Sequence, residues 1–223
     1  MITIKSGSAT SPKPSKGKGV IIAHICNGQG GWGAGFVKAI DELSLMPQVA
    51  YRALAKQHNN KIPMGSINFI EVQLGLFVSN MVAQNGYARN SQDGCALDYD
   101  ALKKCLLVTF HRALRLGYGV HMPEKIGAGL AGGNQERIHT IIQECMNEAE
   151  SSVWARHNNA KLDITLWRYG ENGQAAKPAM QAMQAMPENL VVPVAKIDEL
   201  VKVVAPNSDE VVVLADDELA NWG

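Results

Sequence analysis

Two stretches of this 223-residue chain have residue types and spacing suited to holding an anion. The first is Gly19–Phe36, GVIIAHICNGQGGWGAGF, where an apolar run reaches Asn27 and is followed by Gly28, Gly30, Gly31, Gly33 and Gly35. Glycine lets backbone N–H groups converge on an anion with no Cβ in the way, and a helix beginning behind them adds a favourable dipole. The second is Gly127-Ala128-Gly129-Leu130-Ala131-Gly132-Gly133, which follows the short run Tyr118–Met122 and precedes Asn134, a helix-capping residue type. Taken literally, Gly28–Gly33 matches the dinucleotide pattern GxGxxG. That pattern also needs a second strand ending in an acid about 20 residues on. Val49–Gln57 reads instead as a helix without an acid, so a dinucleotide fold is rejected. Two strand–loop–helix units in one α/β domain place both loops at the carboxyl edge of the sheet, where they suit a diphosphate held by backbone N–H groups.

Several side chains near these loops have chemistry of their own. His24 and Cys26 lie two apart on a strand and share a face, as a Cys–His nucleophile or as packing. His24 alone is a candidate to pass a proton to a leaving oxygen or orient water, against the plainer reading of a core imidazole bonded to its neighbours. Asn27, an amide at a strand end between glycine loops, is a candidate partner for a sugar hydroxyl, or else closes an Asx turn. Asn80 and Gln84 either line the same cleft or satisfy strand-end backbone groups. Trp32 either covers a ligand or anchors its loop, and His121 reads as structural. His24, Cys26, His121 and Cys145 lack metal-ligand spacing, so no metal and no cofactor are expected.

The elements that would position these groups are legible from periodicity. Ile2–Lys5, Gly19–Ile25, Ile67–Val72, Leu76–Val82, Gly119–Met122 and Leu162–Trp167 read as strands. Phe36–Leu45 and Val49–Gln57 read as helices split at Met46-Pro47. Asp98–Leu116 is the clearest helix, with Leu102, Leu106, Phe110 and Leu114 near one face, Asp98 as cap and Gly117 as stop. A helix capped by Asn134 carries Ile138, Ile141, Ile142 and Cys145 at burial spacing. This alternation predicts a three-layer α/β domain with a parallel or mixed sheet.

Composition narrows the class. Lys+Arg and Asp+Glu number 21 each and 46% of residues are hydrophobic, which suits a globular core and argues against bulk electrostatic binding of nucleic acid. The basic run Pro12–Lys18 lacks interleaved aromatics and reads as a solvated connector. No apolar run is long enough for a bilayer and no secretory leader is expected. Four cysteines without a CxxC pair predict reduced thiols and a cytoplasmic location. The repetitive AMQAMQAMP run divides the chain into a domain at 1–170, a linker at 171–189 and an acidic C-terminal appendage at 190–223, whose partner is unknown.

The motifs carry a resemblance in order along the chain. Gly7-Ser8-Ala9-Thr10, Ile21–Asn27, Gly30–Phe36, Asn80–Gln84 and His121–Gly133 resemble the macro domain family over residues 1–168, nearest the branch that processes ADP-ribose 1″-phosphate. The resemblance implies a three-layer αβα fold with a central mixed sheet and a cleft for ADP-ribose. It places Ser8 and Ala9 by the adenine and Asn27 at the distal ribose. Gly33, Ala34, Gly35 and Phe36 then contact ribose and diphosphate, and Gly127, Ala128, Gly129, Leu130, Ala131 and Gly132 close over the diphosphate. The chain departs from the family at Ser8, where an acid is usual, and at Asn134-Gln135, where Asp and Trp are common. Ala83-Gln84 and Gly132-Gly133 supply no lysine–aspartate pair. The expected function is ADP-ribose binding with hydrolysis at the distal ribose, as an ADP-ribose 1″-phosphate phosphatase or related deacylase, with His24 and Asn27 as catalytic candidates. The alternative is a non-catalytic reader of ADP-ribose or ADP-ribosylated targets.

Overall fold

The computed structural model describes residues 1–11, 19–169 and 211–212. Its strands are β1 (Ile2–Ser6), β2 (Val20–Asn27), β3 (Ile67–Gln73), β4 (Leu76–Gln84), β5 (Gly119–Pro123), β6 (Ile164–Arg168) and β7 (Val211–Val212). Its α-helices are α1 (Val37–Leu43), α2 (Met46–Gln57), α3 (Tyr99–Leu116), α4 (Gln135–Ser151) and α5 (Val153–His157). The strands form one sheet in the order β1-β6-β5-β2-β4-β3-β7. Pairing is parallel from β1 through β4 and antiparallel for β4–β3 and β3–β7, so the sheet is mixed, as the sequence predicts.

Strand periodicity sorts the core into two halves. Ile21 and Ala23 of β2, Met81 of β4, Val120 and Met122 of β5, and Ile164 and Leu166 of β6 face α3 and α4 in one cluster. The alternate residues face the other way. Val20, Ile22 and Val78 pack with Ile40 of α1, while Cys26 and Val82 pack with Tyr51 and Leu54 of α2. Helices thus cover both faces, giving three αβα layers.

Local chemistry sets the helix ends. Asp98 accepts the N–H of Ala101 at 2.9 Å and Asn134 that of Arg137 at 2.9 Å, so both expected caps are in place. Gly117 ends α3 in the left-handed region at φ 67°. Pro47 does not split the second helical stretch as expected. It occupies the first turn of α2, where its missing N–H has no partner to lose, and the break falls at Ser44-Leu45.

The parallel strands β1, β6, β5, β2 and β4 all deliver their carboxyl ends to one edge. The segments beginning at Gly7, Gly28, Glu124 and Tyr169 therefore emerge side by side, with the two glycine loops on the adjacent strands β2 and β5. The expected boundary near 170, the linker 171–189, most of the appendage 190–223 and the run 12–18 lie outside the described residues. Of the appendage, β7 pairs with β3 through Ile67↔Val212 and Asn68↔Val211.

Candidate functional site

The glycines divide by what a Cβ would meet. A Cβ on Gly28 would strike the Met64 side chain at 2.5 Å, on Gly30 the Asn60 amide at 2.6 Å and on Gly31 the Tyr87 hydroxyl at 2.6 Å. In the second loop, one on Gly132 would lie 2.1 Å from the Gly94 carbonyl and one on Gly133 2.5 Å from Leu97. These glycines let the loops pack against the body. Gly33 and Gly129 have nothing within 4 Å, and the nearest atom to Gly35 is Leu130 Cδ1 at 3.1 Å. Both loops therefore carry glycines beside open space, and Leu130 reaches across to Gly35.

Between the loops lies a cavity of about 220 Å³, lined by Ala34, Gly35, Phe36 and Val37 on one side and by Ile126, Gly127, Gly129, Leu130 and Ala131 on the other. Among the described residues, the backbone N–H groups of Ala34, Gly35, Phe36, Gly129, Leu130 and Ala131 donate to no protein acceptor. Phe36 caps α1 with no side-chain bond, and the N–H groups of Lys38 and Ala39 turn back onto the Gly35 and Phe36 carbonyls at 3.3 and 3.0 Å. His24, Gln84 and Lys125 supply the polar side chains of the lining. A second cavity of about 450 Å³ adjoins it through Gly35, Phe36 and Pro123. Gly7 through Ser11, Lys38, Ala39, Glu42, Trp167 and Tyr169 complete its wall. Gly7, at φ 134°, allows the chain leaving β1 to pass the Trp167 ring, whose nearest carbon would be 3.1 Å from a Cβ there.

Ser8 and Ala9 line the larger cavity, Gly35 and Phe36 both cavities, and Ala34, Gly127, Gly129, Leu130 and Ala131 the smaller. Gly33, Ala128 and Gly132 belong to the same loops without lining either cavity. Asn27 is buried, its Oδ1 accepting the N–H of Gln29 at 2.9 Å and its Nδ2 donating to the Gly86 carbonyl at 2.6 Å. This is the Asx-turn alternative, and the amide lines neither cavity. Tyr51 reinforces the turn by donating to the Asn27 carbonyl, and burial pushes its phenol pKa upward.

His24 lines the smaller cavity, but its ring is committed. Nε2 lies 2.6 Å from Asn80 Oδ1, and Asn80 Nδ2 donates to the Pro47 carbonyl at 2.9 Å, so the proton sits on Nε2. The ring meets Trp32 edge-on at 5.5 Å, and burial pushes its pKa down to about 4 despite the Asn80 bond. The imidazole is therefore neutral at pH 7, with its one N–H already given away. Cys26 is buried 4.0 Å from the same ring and lines neither cavity, and burial holds its thiol well above the ordinary range. Trp32 anchors its loop, packing on Tyr51 at 5.2 Å and donating Nε1 to Asp41 at 2.9 Å. Asn68, opposite Asn80, extends a polar row across β2, β4 and β3 beneath α2. Lys38, Lys125, Trp167 and Tyr169 escaped the sequence reading. The position of Trp167 and Tyr169 at the end of a strand parallel to β2 was the signal available for them.

The chain matches no protein-family model, and no curated protein matches it significantly. Solved structures do match. A protein of unknown function from Bacteroides thetaiotaomicron superposes with a TM-score of 0.65 at 34% identity, over 75% of this chain and 98% of its own. A macrodomain protein from Streptomyces coelicolor superposes at 0.59 with 28% identity, over 76% of this chain and 100% of its own. A Trypanosoma brucei macrodomain in complex with ADP-ribose shares the fold at 0.50 with 16% identity, over 75% of this chain and 63% of its own. The αβα sheet with paired glycine loops at its carboxyl edge is the macro domain architecture. The chain belongs to the macro domain family.

Proposed function

We propose that this protein binds ADP-ribose or a close derivative in the joined cavities. One observation carries the reading: two opposed loops present unpaired backbone N–H groups around a diphosphate-sized space that opens into a larger, aromatic-walled one. Backbone N–H groups fixed by packing glycines hold an anion at little cost in reorganisation. Phe36, Trp167 and Tyr169 offer flat apolar surface for a nucleobase. The Trypanosoma brucei macrodomain holds ADP-ribose on the same fold.

The catalytic form of the proposal is hydrolysis at the distal ribose, with ADP-ribose 1″-phosphate as substrate. Water oxygen bonds to phosphorus, the bond from phosphorus to the 1″ oxygen breaks, and the water proton passes through a substrate phosphate oxygen to that leaving oxygen. The protein contributes position and N–H donors. In this scheme His24 and Asn27 act as positioning residues, His24 through Asn80 and Asn27 through the loop turn. A second reading, a non-catalytic reader of ADP-ribose or ADP-ribosylated targets, draws on the same cleft. It is favoured by the neutral, hydrogen-bonded His24 and by the absence of a carboxylate among the described residues lining the smaller cavity.

The test is calorimetric titration with ADP-ribose alongside phosphate release from ADP-ribose 1″-phosphate on the same preparation. Binding with release supports the hydrolase, and binding without release supports the reader. No binding of either compound rejects both.

A further inference from the structure

Glu124 has every polar atom engaged, and its partners come from β6 and α4. Its N–H donates to the Trp167 carbonyl at 2.9 Å. Its carboxylate accepts two bonds from the Arg168 guanidinium, from Nε at 2.8 Å and from Nη2 at 2.7 Å. Its carbonyl accepts from Gln135 Nε2 at 2.8 Å, with His139 Nε2 at 3.2 Å from the same oxygen. The chain between Glu124 and Gln135 is the second glycine loop, so the Gln135 bond closes that loop at its neck. The Gly133 N–H closes it again further out, on the Gly127 carbonyl at 2.9 Å. Pro123 and Lys125, on either side of Glu124, line the cavities, and so do Trp167 and Tyr169, on either side of Arg168. The ladder between β5 and β6 ends at Pro123↔Trp167 and the Glu124 N–H. The fork between Arg168 and Glu124 carries the connection one residue further, between the glycine loop and the aromatic wall.

An ion pair this open to solvent adds little to stability, since the Arg168 side chain is 58% exposed. Its geometry is a separate matter, because two bonds from a planar guanidinium fix distance and angle together. We infer that Glu124, through Arg168, is a positioning residue that sets the separation between the second glycine loop and the Trp167–Tyr169 wall. A ligand that spans both cavities then meets walls already in place, and without the fork its binding must also order them. The inference rests on the ADP-ribose reading of the joined cavities and adds the pair that sets their spacing.

The experiment is calorimetry with ADP-ribose alongside urea unfolding, on the full chain as wild type, Glu124→Arg, Arg168→Glu and the double charge swap. Each single reversal is expected to weaken binding by about tenfold or more with an unfolding midpoint near that of wild type, and the swap to recover binding to within about threefold. Long-range charge alone gives another pattern, in which the anionic ligand binds Glu124→Arg more tightly than wild type and Arg168→Glu less tightly. That pattern overturns the proposal, as do unchanged affinities in the single variants, midpoints that fall in step with affinity, or a swap as weak as either single. If the reversals do not fold, Arg168→Met decides, because it removes the fork and keeps an apolar stem. A loss of about fivefold or more at an unchanged midpoint then supports the proposal, and any other result overturns it. Failure of wild type to bind ADP-ribose rejects the ligand reading itself, which separates that failure from the behaviour of the variants.

Discussion

At the scale of residues, burial decides which groups have chemistry to offer. His24 and His121 both lose contact with water, and both are pushed down to about 4 from an ordinary 6.5, His121 with help from Lys5. The unfolded chain then binds more protons than the folded one between those values, so stability falls as pH drops from about 6.5 toward 4. For His24 the full effect is roughly 3 kcal/mol. His24→Gln, which keeps an N–H to give, is expected to flatten part of this acid slope in urea midpoints measured from pH 7 to pH 4. An unchanged slope would mean that His24 is solvated. The same neutrality predicts that any hydrolysis shows no inflection near the ordinary imidazole range in a pH–rate profile. An inflection there would restore His24 as an acid or base.

At the scale of elements, the two glycine loops separate folding from binding within a few residues. Gly132→Ala forces a Cβ against the Gly94 carbonyl at φ 70° and is expected to lower stability by roughly 2–4 kcal/mol in denaturant unfolding. Gly129→Val has open space around its Cβ and is expected to leave the unfolding midpoint near wild type while weakening ADP-ribose binding by about tenfold or more. Equal losses of stability in the two variants would contradict the division. Asp98→Ala, which removes the cap of α3, should cost about 1 kcal/mol and leave ligand affinity unchanged. Much at this scale was legible beforehand. The Leu102, Leu106, Phe110 and Leu114 stripe, both side-chain caps and the alternating strands all follow from local periodicity. The division among the glycines was not, because sequence shows that a Cβ is missing but not which neighbour fills its place. Asn27 was ambiguous for a related reason, since the Gly86 carbonyl that occupies its amide lies 59 residues away. The helix α5, Val153–His157, is a single turn and too short to show a period.

At the scale of the whole molecule, every described residue lining either cavity falls between Gly7 and Tyr169. A chain ending after Tyr169 is therefore expected to bind ADP-ribose within about twofold of the full chain in calorimetry, even though the outer edge of β3 loses its pairing to β7. A collapse in affinity would assign residues beyond 169 a part in the site. The site itself is a product of topology: five parallel strands bring segments distant in sequence to one edge, and no single motif contains both the anion loops and the base wall. Trp167 shows what this means at the bench. Its ring walls the larger cavity while Trp32 is locked against His24 and Tyr51 and Trp154 lies out on α5. A base stacking in that cavity would quench the emission of Trp167 ahead of these others, so the protein carries its own fluorescent gauge of occupancy.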